Sequence, residues 1–385
     1  MADIRVLVVD DSAVVRRIVA QVLDAEPDIT VVGTAENGRV ALQKLAALSP
    51  DAVTLDIEMP ELDGLGTLKE LRKTHARVPV IMFSTLTERG AAKTLEALSL
   101  GASDYVTKPS NTTALTDSVR SVREQLVPKL RSLTGRDVPA GRPRTPLRPT
   151  TSLPTRPTAP LRPVASTATA VVGPRAGAVR GPVQRPEVLA IGSSTGGPEA
   201  LARVLTGLPG TLRVPVVIVQ HMPPIFTRLL AERLSRASAL DVREAAEGDQ
   251  LKPGTVLIAP GDFHLELVRR GAAVTAHLTS GPAENFCRPA VDVLFRSVAS
   301  VYGGASLAVV LTGMGSDGRR GAELLRAKGA RILAQDEATS VVWGMPGAVA
   351  HAGLADALLP IDAVAGAIVD SVGHQAHAIP LGARP

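Results

Sequence analysis

Residues 139–186 hold eleven of the chain's 30 prolines and eight of its arginines, with no acidic and no aromatic residue. Phrases such as GRPRTPLRPTTSLPTRPTAPLRP show no apolar periodicity, so this stretch cannot bury enough surface to offset the entropy of ordering it. Proline at every third or fourth position favours an extended, semi-rigid spacer. A chain of 385 residues is thereby divided before any strand or helix is assigned. The expected organisation is an N-terminal domain over 1–125, a flexible Pro/Arg-rich linker over 126–186 and a larger C-terminal domain over 187–378.

The net charge of +5 belongs to that linker, because without its eight arginines the remainder carries −3. No folded surface need be basic, which argues against nucleic acid as a partner. One cysteine, Cys287, excludes a disulfide framework and fits a reducing compartment. No long apolar stretch escapes interruption by charge, proline or glycine, so no membrane insertion is expected. The opening MADIRVLVVDDS lacks the basic-then-apolar order of a signal peptide. A soluble, cytoplasmic protein is the expectation.

Both halves alternate short apolar runs with helical periods. Upstream the runs are Ile4–Val9, Thr30–Val32, Ala52–Leu55, Val80–Phe83 and Asp104–Val106, separated by stretches such as GRVALQKLAAL. Five βα units imply a doubly wound parallel sheet of the flavodoxin-like kind. Downstream VLAI, PVVIVQ, TVLIAP, SLAVVLT and RILAQ repeat the α/β theme, and FHLELVRRGAAVTAHL reads as an antiparallel hairpin. The fold class is therefore α/β, with two doubly wound parallel-sheet domains joined by a disordered linker.

Ligands of open parallel sheets bind at the carboxyl ends of the strands. Asp10 and Asp11 end the first upstream strand and Asp56 ends the third. Three carboxylates brought together need a cation, and an oxygen-only site of this kind suits Mg²⁺ with a phosphate. Ser84 and Lys108 end later strands, where a hydroxyl and an ammonium would hold a phosphoryl group on Asp56. Taken singly, Asp11 or Ser12 would serve as a helix cap and Lys108 as a surface lysine.

Downstream, IGSSTGGPEAL follows an apolar strand and opens a helix marked by Pro198 and Glu199. A phosphate-binding P-loop would need Lys-Ser/Thr after Gly197, where Pro198 and Glu199 stand. A dinucleotide fingerprint would need glycine in place of Ser194. Gly192-x-Ser194-x-Gly196 fits a nucleophile turn better, with the helix N-terminus beside the hydroxyl. Of the histidines, His221 ends the neighbouring strand, whereas His264 and His277 fall in the hairpin. Asp317, in LTGMGSDGRRG, and Asp336 both follow strands, and the glycines around Asp317 favour it. Cys287 has no strand-end context and no evident histidine partner, so an incidental thiol is expected.

Two resemblances follow from these residues. VVDDS, TLDIEMPELDGL, MFSTL and DYVTKP resemble the receiver domain of two-component response regulators. That resemblance implies phosphorylation of Asp56 by a chemotaxis histidine kinase, Mg²⁺ held by Asp10, Asp11 and Asp56, Ser84 and Lys108 at the phosphoryl group, and Tyr105 as reporter of the switch. IGSSTGGPEAL, VQHMPPIFT, CRPAVDVLF, LTGMGSDG and AQDEATSVVWGMP resemble the catalytic domain of the chemotaxis protein-glutamate methylesterase (CheB) family. The resemblance implies Ser194 as nucleophile, His221 as base and Asp317 as its carboxylate, with Thr195 and Met314 lining the site. Ser193 stands where the family usually has alanine. The implied activity is hydrolysis of glutamate γ-methyl esters, and deamidation of glutamines, on methyl-accepting chemotaxis receptors. The implied esterase uses no cofactor of its own and is uncovered when the receiver is phosphorylated. A response regulator with a nucleotide- or DNA-binding output is the alternative, although the arginines crowd the linker rather than a recognition helix.

Overall fold

The chain alternates strand and helix in two blocks because the central strands of each are apolar on both faces, a pattern that only a sheet covered on both sides can bury. A computed structural model describes residues 3–108, 115–135 and 184–373. Residues 136–183, which hold most of the expected linker, and Ser110 lie outside the described residues.

In the first block β1 (Ile4–Val9), β2 (Ile29–Ala35), β3 (Ala52–Asp56), β4 (Val80–Ser84) and β5 (Asp104–Thr107) alternate with five helices. These are α1 (Ala13–Asp24), α2 (Gly38–Leu48), α3 (Gly64–Thr74), α4 (Glu88–Ser99) and α5 (Leu115–Leu133). The sheet order is β2-β1-β3-β4-β5, all parallel. Val6, Val8, Ile81 and Phe83 face α1 and α5, while Leu7, Val9, Val53 and Leu55 face the other helices. Ser12, Asn37, Asp63 and Thr87 each cap the helix that follows with a side-chain oxygen, contributing about 1 kcal/mol apiece. Helix α5 continues past residue 125, so 126–133 are helix rather than linker. Leu126, Val127 and Leu130 are buried against α1, which is why the helix persists there.

The second block is larger. It comprises β6 (Val188–Ser193), α6 (Gly197–Thr206), β7 (Val216–Gln220), α7 (Phe226–Ala237), β8 (Asp241–Glu244) and β9 (Thr255–Ile258). The hairpin β10 (His264–Arg270) and β11 (Ala273–Thr279) comes next, then α8 (Val291–Val301), β12 (Ser306–Val310) and α9 (Arg319–Ala327). It ends with β13 (Arg331–Gln335), α10 (Met345–His351), β14 (Ala357–Leu359) and α11 (Ile361–Val372). Seven parallel strands run in the order β14-β13-β12-β6-β7-β9-β8. One face packs on α6, α7 and α11; the other packs on α8, α9, α10 and the antiparallel hairpin. The fold class read from sequence agrees with this arrangement. No helix among the described residues is long and apolar enough to cross a membrane.

Gly64 shows how tightly the first sheet edge is built. A Cβ there would sit 2.1 Å from the backbone oxygen of Asp56 and 2.8 Å from Ile57 Cα. Both obstacles are backbone, so Gly64→Ala is expected to destabilise the first domain by about 1–3 kcal/mol. Differential scanning calorimetry of the full chain checks this, and an unchanged profile would contradict the packing described.

Candidate active site

In the second sheet the chain leaves β6 toward β7 on one side and returns through β12 on the other, so β6 lies at the switch point where open parallel sheets hold their ligands. Ser194 follows β6, His221 follows β7, and Asp317 lies in the loop after β12. The turn after β6 is fixed by Ser194 N–H donating to Thr312 O at 3.0 Å and Gly197 N–H donating to Ser194 O at 2.8 Å. Gly196 takes a left-handed φ of 76°, and a Cβ there would also strike Val341. The two serines part company here. Ser193 is fully buried and its hydroxyl donates to Gln220 Oε1 at 2.7 Å. Ser194 is half-buried and shares a cavity with His221 beside the start of α6.

His221 Nε2 lies 2.8 Å from Asp317 Oδ2. The Asp317 carboxylate accepts four more hydrogen bonds: Val291 N at 2.6 Å, Asp292 N at 2.9 Å, Gly318 N at 2.9 Å and Asn285 Nδ2 at 2.8 Å. The first two are amides of the opening turn of α8, where the helix dipole favours a negative charge. The favour is returned, because Asp292 accepts from Gly321 N in the first turn of α9 at 2.7 Å. Burial works against the Asp317 charge, yet the His221 ring and these amides hold the carboxyl below its ordinary range. Burial and the neighbouring Asp317 push Asp292 the other way. For His221 burial favours the neutral ring, but hydrogen bonds to Asp317 and to the Cys287 thiol outweigh it and raise the imidazole to about 10. Cys287 therefore does have a histidine beside it, contrary to the reading from sequence. The turn that carries it folds back over the site.

The remaining candidates stay outside. Asp336 holds the backbone and hydroxyl of Thr339 at 3.0 and 2.6 Å. His264 is buried between Pro282 O and Ala290 N, His277 pairs with Glu247, and His351 stands edge-on to Trp343. Met314 is half-buried and adjoins Gly313, where a Cβ would lie 2.9 Å from Ser194 Cβ. Asn285, Asp292 and Gln220 carry no sequence signal of their own. Gln220 Nε2 donates to Ser194 O at 2.9 Å, and its Oε1 fills the space that a Cβ on Gly197 would need.

The first sheet has its own switch point between β1 and β3, and the acidic cluster sits there. Carboxylate oxygens of Asp10, Asp11 and Asp56 lie within 4.8 Å of one another. Lys108 Nζ reaches Asp10 Oδ2 at 2.9 Å and Asp56 Oδ2 at 2.8 Å, and among the described residues these inner oxygens have no hydrogen-bond donor besides it. Burial and the Asp10 charge raise Asp56 to about 6 against the pull of Lys108. Such a donor set, all oxygen and under-neutralised, fits a divalent cation. Ser84 does not point at the cluster in this state. Its buried hydroxyl accepts from Thr94 at 2.6 Å and donates to Thr85 O, partners that α4 and the strand end supply.

The esterase site faces β5 and α5 of the first domain, not its acidic cluster. Tyr105 stacks on Phe226 with ring centroids 4.7 Å apart and planes 5° from parallel. Asp104 Oδ2 accepts the Thr195 hydroxyl at 2.6 Å, while its Oδ1 binds Lys129 Nζ at 2.9 Å. Arg233 donates to Leu95 O at 2.9 Å, and Arg228 pairs with Glu88. Between the domains is left a cavity of about 30 Å³, lined by Ser194, Thr195 and His221 on one side and by Asp104, Tyr105 and Lys129 on the other.

Residues 189–368 match the CheB methylesterase family and residues 6–120 match the response regulator receiver domain family. A Nocardioides protein named protein-glutamate methylesterase/protein-glutamine glutaminase is 54% identical, covering 94% of this chain and 93% of its own length. A protein of the same name from Trichodesmium erythraeum is 47% identical, covering 97% of this chain and 100% of its own. The crystal structure of the Thermotoga maritima CheB methylesterase catalytic domain is 43% identical, with a TM-score of 0.48, covering 48% of this chain and 98% of that one.

The raised His221 pKa has a direct check. In Asp317→Asn burial is no longer opposed by the carboxylate, so the imidazole pKa is expected to fall by about one to three units. NMR titration of the ring protons reads this, assigned by difference from His221→Gln. A pKa left where it was would assign the shift to another group.

Proposed function

The chain belongs to the CheB methylesterase family with a receiver domain in front, and from that premise we propose that it is a phosphorylation-activated serine esterase acting on glutamate γ-methyl esters of chemoreceptors, and on receptor glutamines. The observation that carries the site assignment is the 2.8 Å contact between His221 Nε2 and Asp317, made beside the half-buried Ser194 at the ends of three adjacent strands. The His221 ring, oriented by Asp317 and in its neutral form, takes the Ser194 proton as the oxygen attacks the ester carbonyl. The imidazolium returns that proton to the departing methanol. Water, activated by the same ring, then cleaves the acyl-serine and leaves a receptor carboxylate. With a glutamine substrate the leaving group is ammonia. The start of α6, with the backbone at Thr195 and Met314, faces the developing oxyanion. The esterase steps as drawn use side chains and backbone alone. The family match over 189–368 takes the place of the nucleotide- or DNA-binding output considered from sequence.

Regulation follows from the closed interface. Asp104, Tyr105 and Lys129 of the receiver line the cavity at Ser194, and in this reading the receiver moves away before substrate enters. Asp56 is the proposed phosphoacceptor and a chemotaxis histidine kinase its donor. Asp10, Asp11 and Asp56 would hold Mg²⁺, which when bound supplies positive charge opposite the phosphoryl oxygens. Lys108 grips the same group. Ser84 reaches it only by giving up Thr94, and that rearrangement at the end of β4 disturbs neighbouring β5, where Asp104 and Tyr105 hold the esterase domain. A cytoplasmic location, without nucleic acid or membrane insertion, goes with this reading.

Methanol release from methylated receptor membranes tests it. Ser194→Ala is expected to lose about 10⁴-fold or more in turnover, whereas Ser193→Ala retains activity. Asp56→Asn loses the response to a phosphodonor. Removal of residues 1–135, and the single change Asp104→Ala, both raise basal release. Activity surviving in Ser194→Ala would overturn the assignment, and unchanged basal release in the truncation would count against inhibition by the receiver.

A further inference from the structure

We propose that Phe286 is a substrate-contacting residue of the esterase, an apolar foothold for an apolar side chain of the substrate protein beside the modified glutamate. The inference rests on the reading of Ser194, His221 and Asp317 as the reacting centre. Glu284 and Cys287 close a two-residue turn through paired backbone hydrogen bonds of 3.0 and 2.9 Å. Its central residues Asn285 and Phe286 have φ of 53° and 64°. A turn with left-handed φ at both central positions ordinarily takes Asn-Gly, and a bulky residue in the second place is strained. The ring gains nothing from the fold in return, being 104% exposed. Folding alone would favour glycine at this position.

The turn is also held firmly in place. Glu284 makes a paired contact to Arg296 at 2.6 and 2.7 Å, and Arg288 donates to the carbonyls of Ser280 and Gly281. His264 pins both flanks, accepting from Ala290 N at 3.2 Å and donating to Pro282 O at 3.0 Å. The chain neighbours of Phe286 touch the reacting centre itself: Asn285 donates to Asp317, and the Cys287 thiol lies against His221. On the serine side of the site, Val341 is a second half-open apolar residue, packed against Gly196. The receiver covers Ser194 and leaves Phe286 bare. An exposed ring fixed at the rim of a protein-modifying centre, at the expense of backbone strain, fits contact with a protein surface rather than with the small ester group.

The test compares Phe286→Gly, Phe286→Leu and Ser194→Ala in the full chain, using methanol release from methylated receptor membranes with a phosphodonor present. Phe286→Gly is expected to raise KM about tenfold, the effect of losing one buried phenyl contact, and to lower kcat much less. Its melting temperature should equal or exceed that of the parent, because strain is relieved. Phe286→Leu should recover most of the KM. A KM within twofold of the parent in Phe286→Gly, with Ser194→Ala inactive, would overturn the role of Phe286 alone. A melting temperature lowered by several degrees would assign the ring a structural role instead. Activity persisting in Ser194→Ala would bring down the underlying site assignment, and this inference with it.

Discussion

A carboxylate stripped of water is tolerated only where enough donors converge on it, and Asp317 meets that requirement through elements far apart in sequence. Two amides come from α8, one from its own loop, one donor from the Asn285 turn and one from the His221 ring. Asp292 does the same for the first turn of α9. Each helix is thus capped by an acid that belongs to the other's strand-to-helix neighbourhood. The exchange sets how α8 lies across the sheet, where the Asn285 turn sits and which way the His221 ring faces. Loss of Asp317 leaves helix amides and an imidazole without their charge partner, so geometry and electrostatics of the site stand or fall together.

Much of this was legible in the residues. The apolar runs at Ile4–Val9 and RILAQ coincide with β1 and β13, and GRVALQKLAAL with α2, because these elements are buried in the periods that define them. The short edge strands β8 and β14 went unread, since an edge strand of three or four residues is half-solvated and has no strong pattern. The continuation of α5 was hidden by Pro128 and by its nearness to the proline-rich stretch. At the site, rules about strand ends brought Ser194, His221 and Asp317 forward, and glycine spacing favoured Asp317 over Asp336 correctly as regards proximity to His221. What the residues did not reveal were contacts between remote segments. Asp104 to Thr195, Asn285 to Asp317, and Cys287 to His221 obey no period and appear only once the chain is folded.

The two sheets solve a similar problem with opposite electrostatics. At the first switch point carboxylates outnumber their one lysine, and burial raises Asp56 to about 6. Negative charge there exceeds what Lys108 balances. At the second, one carboxylate has more donors than it needs and stays ionised. The same topological position therefore holds an under-neutralised acidic cluster in one domain and a fully hydrogen-bonded carboxylate in the other, according to what lines the strand ends.

Tyr105 on Phe226 and Asp104 on Thr195 join an aromatic stack to a buried hydrogen bond across the closed interface. Closure through such contacts has a numerical consequence for signalling. In a two-state enzyme the resting rate equals the fraction of molecules that open spontaneously, so the free energy of closure is also the ceiling on stimulation. Every 1.4 kcal/mol of docking energy adds about one decade of dynamic range and, by the same measure, one decade to what phosphorylation must overcome. The docking contacts therefore set, with one energy, both the resting baseline and the effort that opening requires.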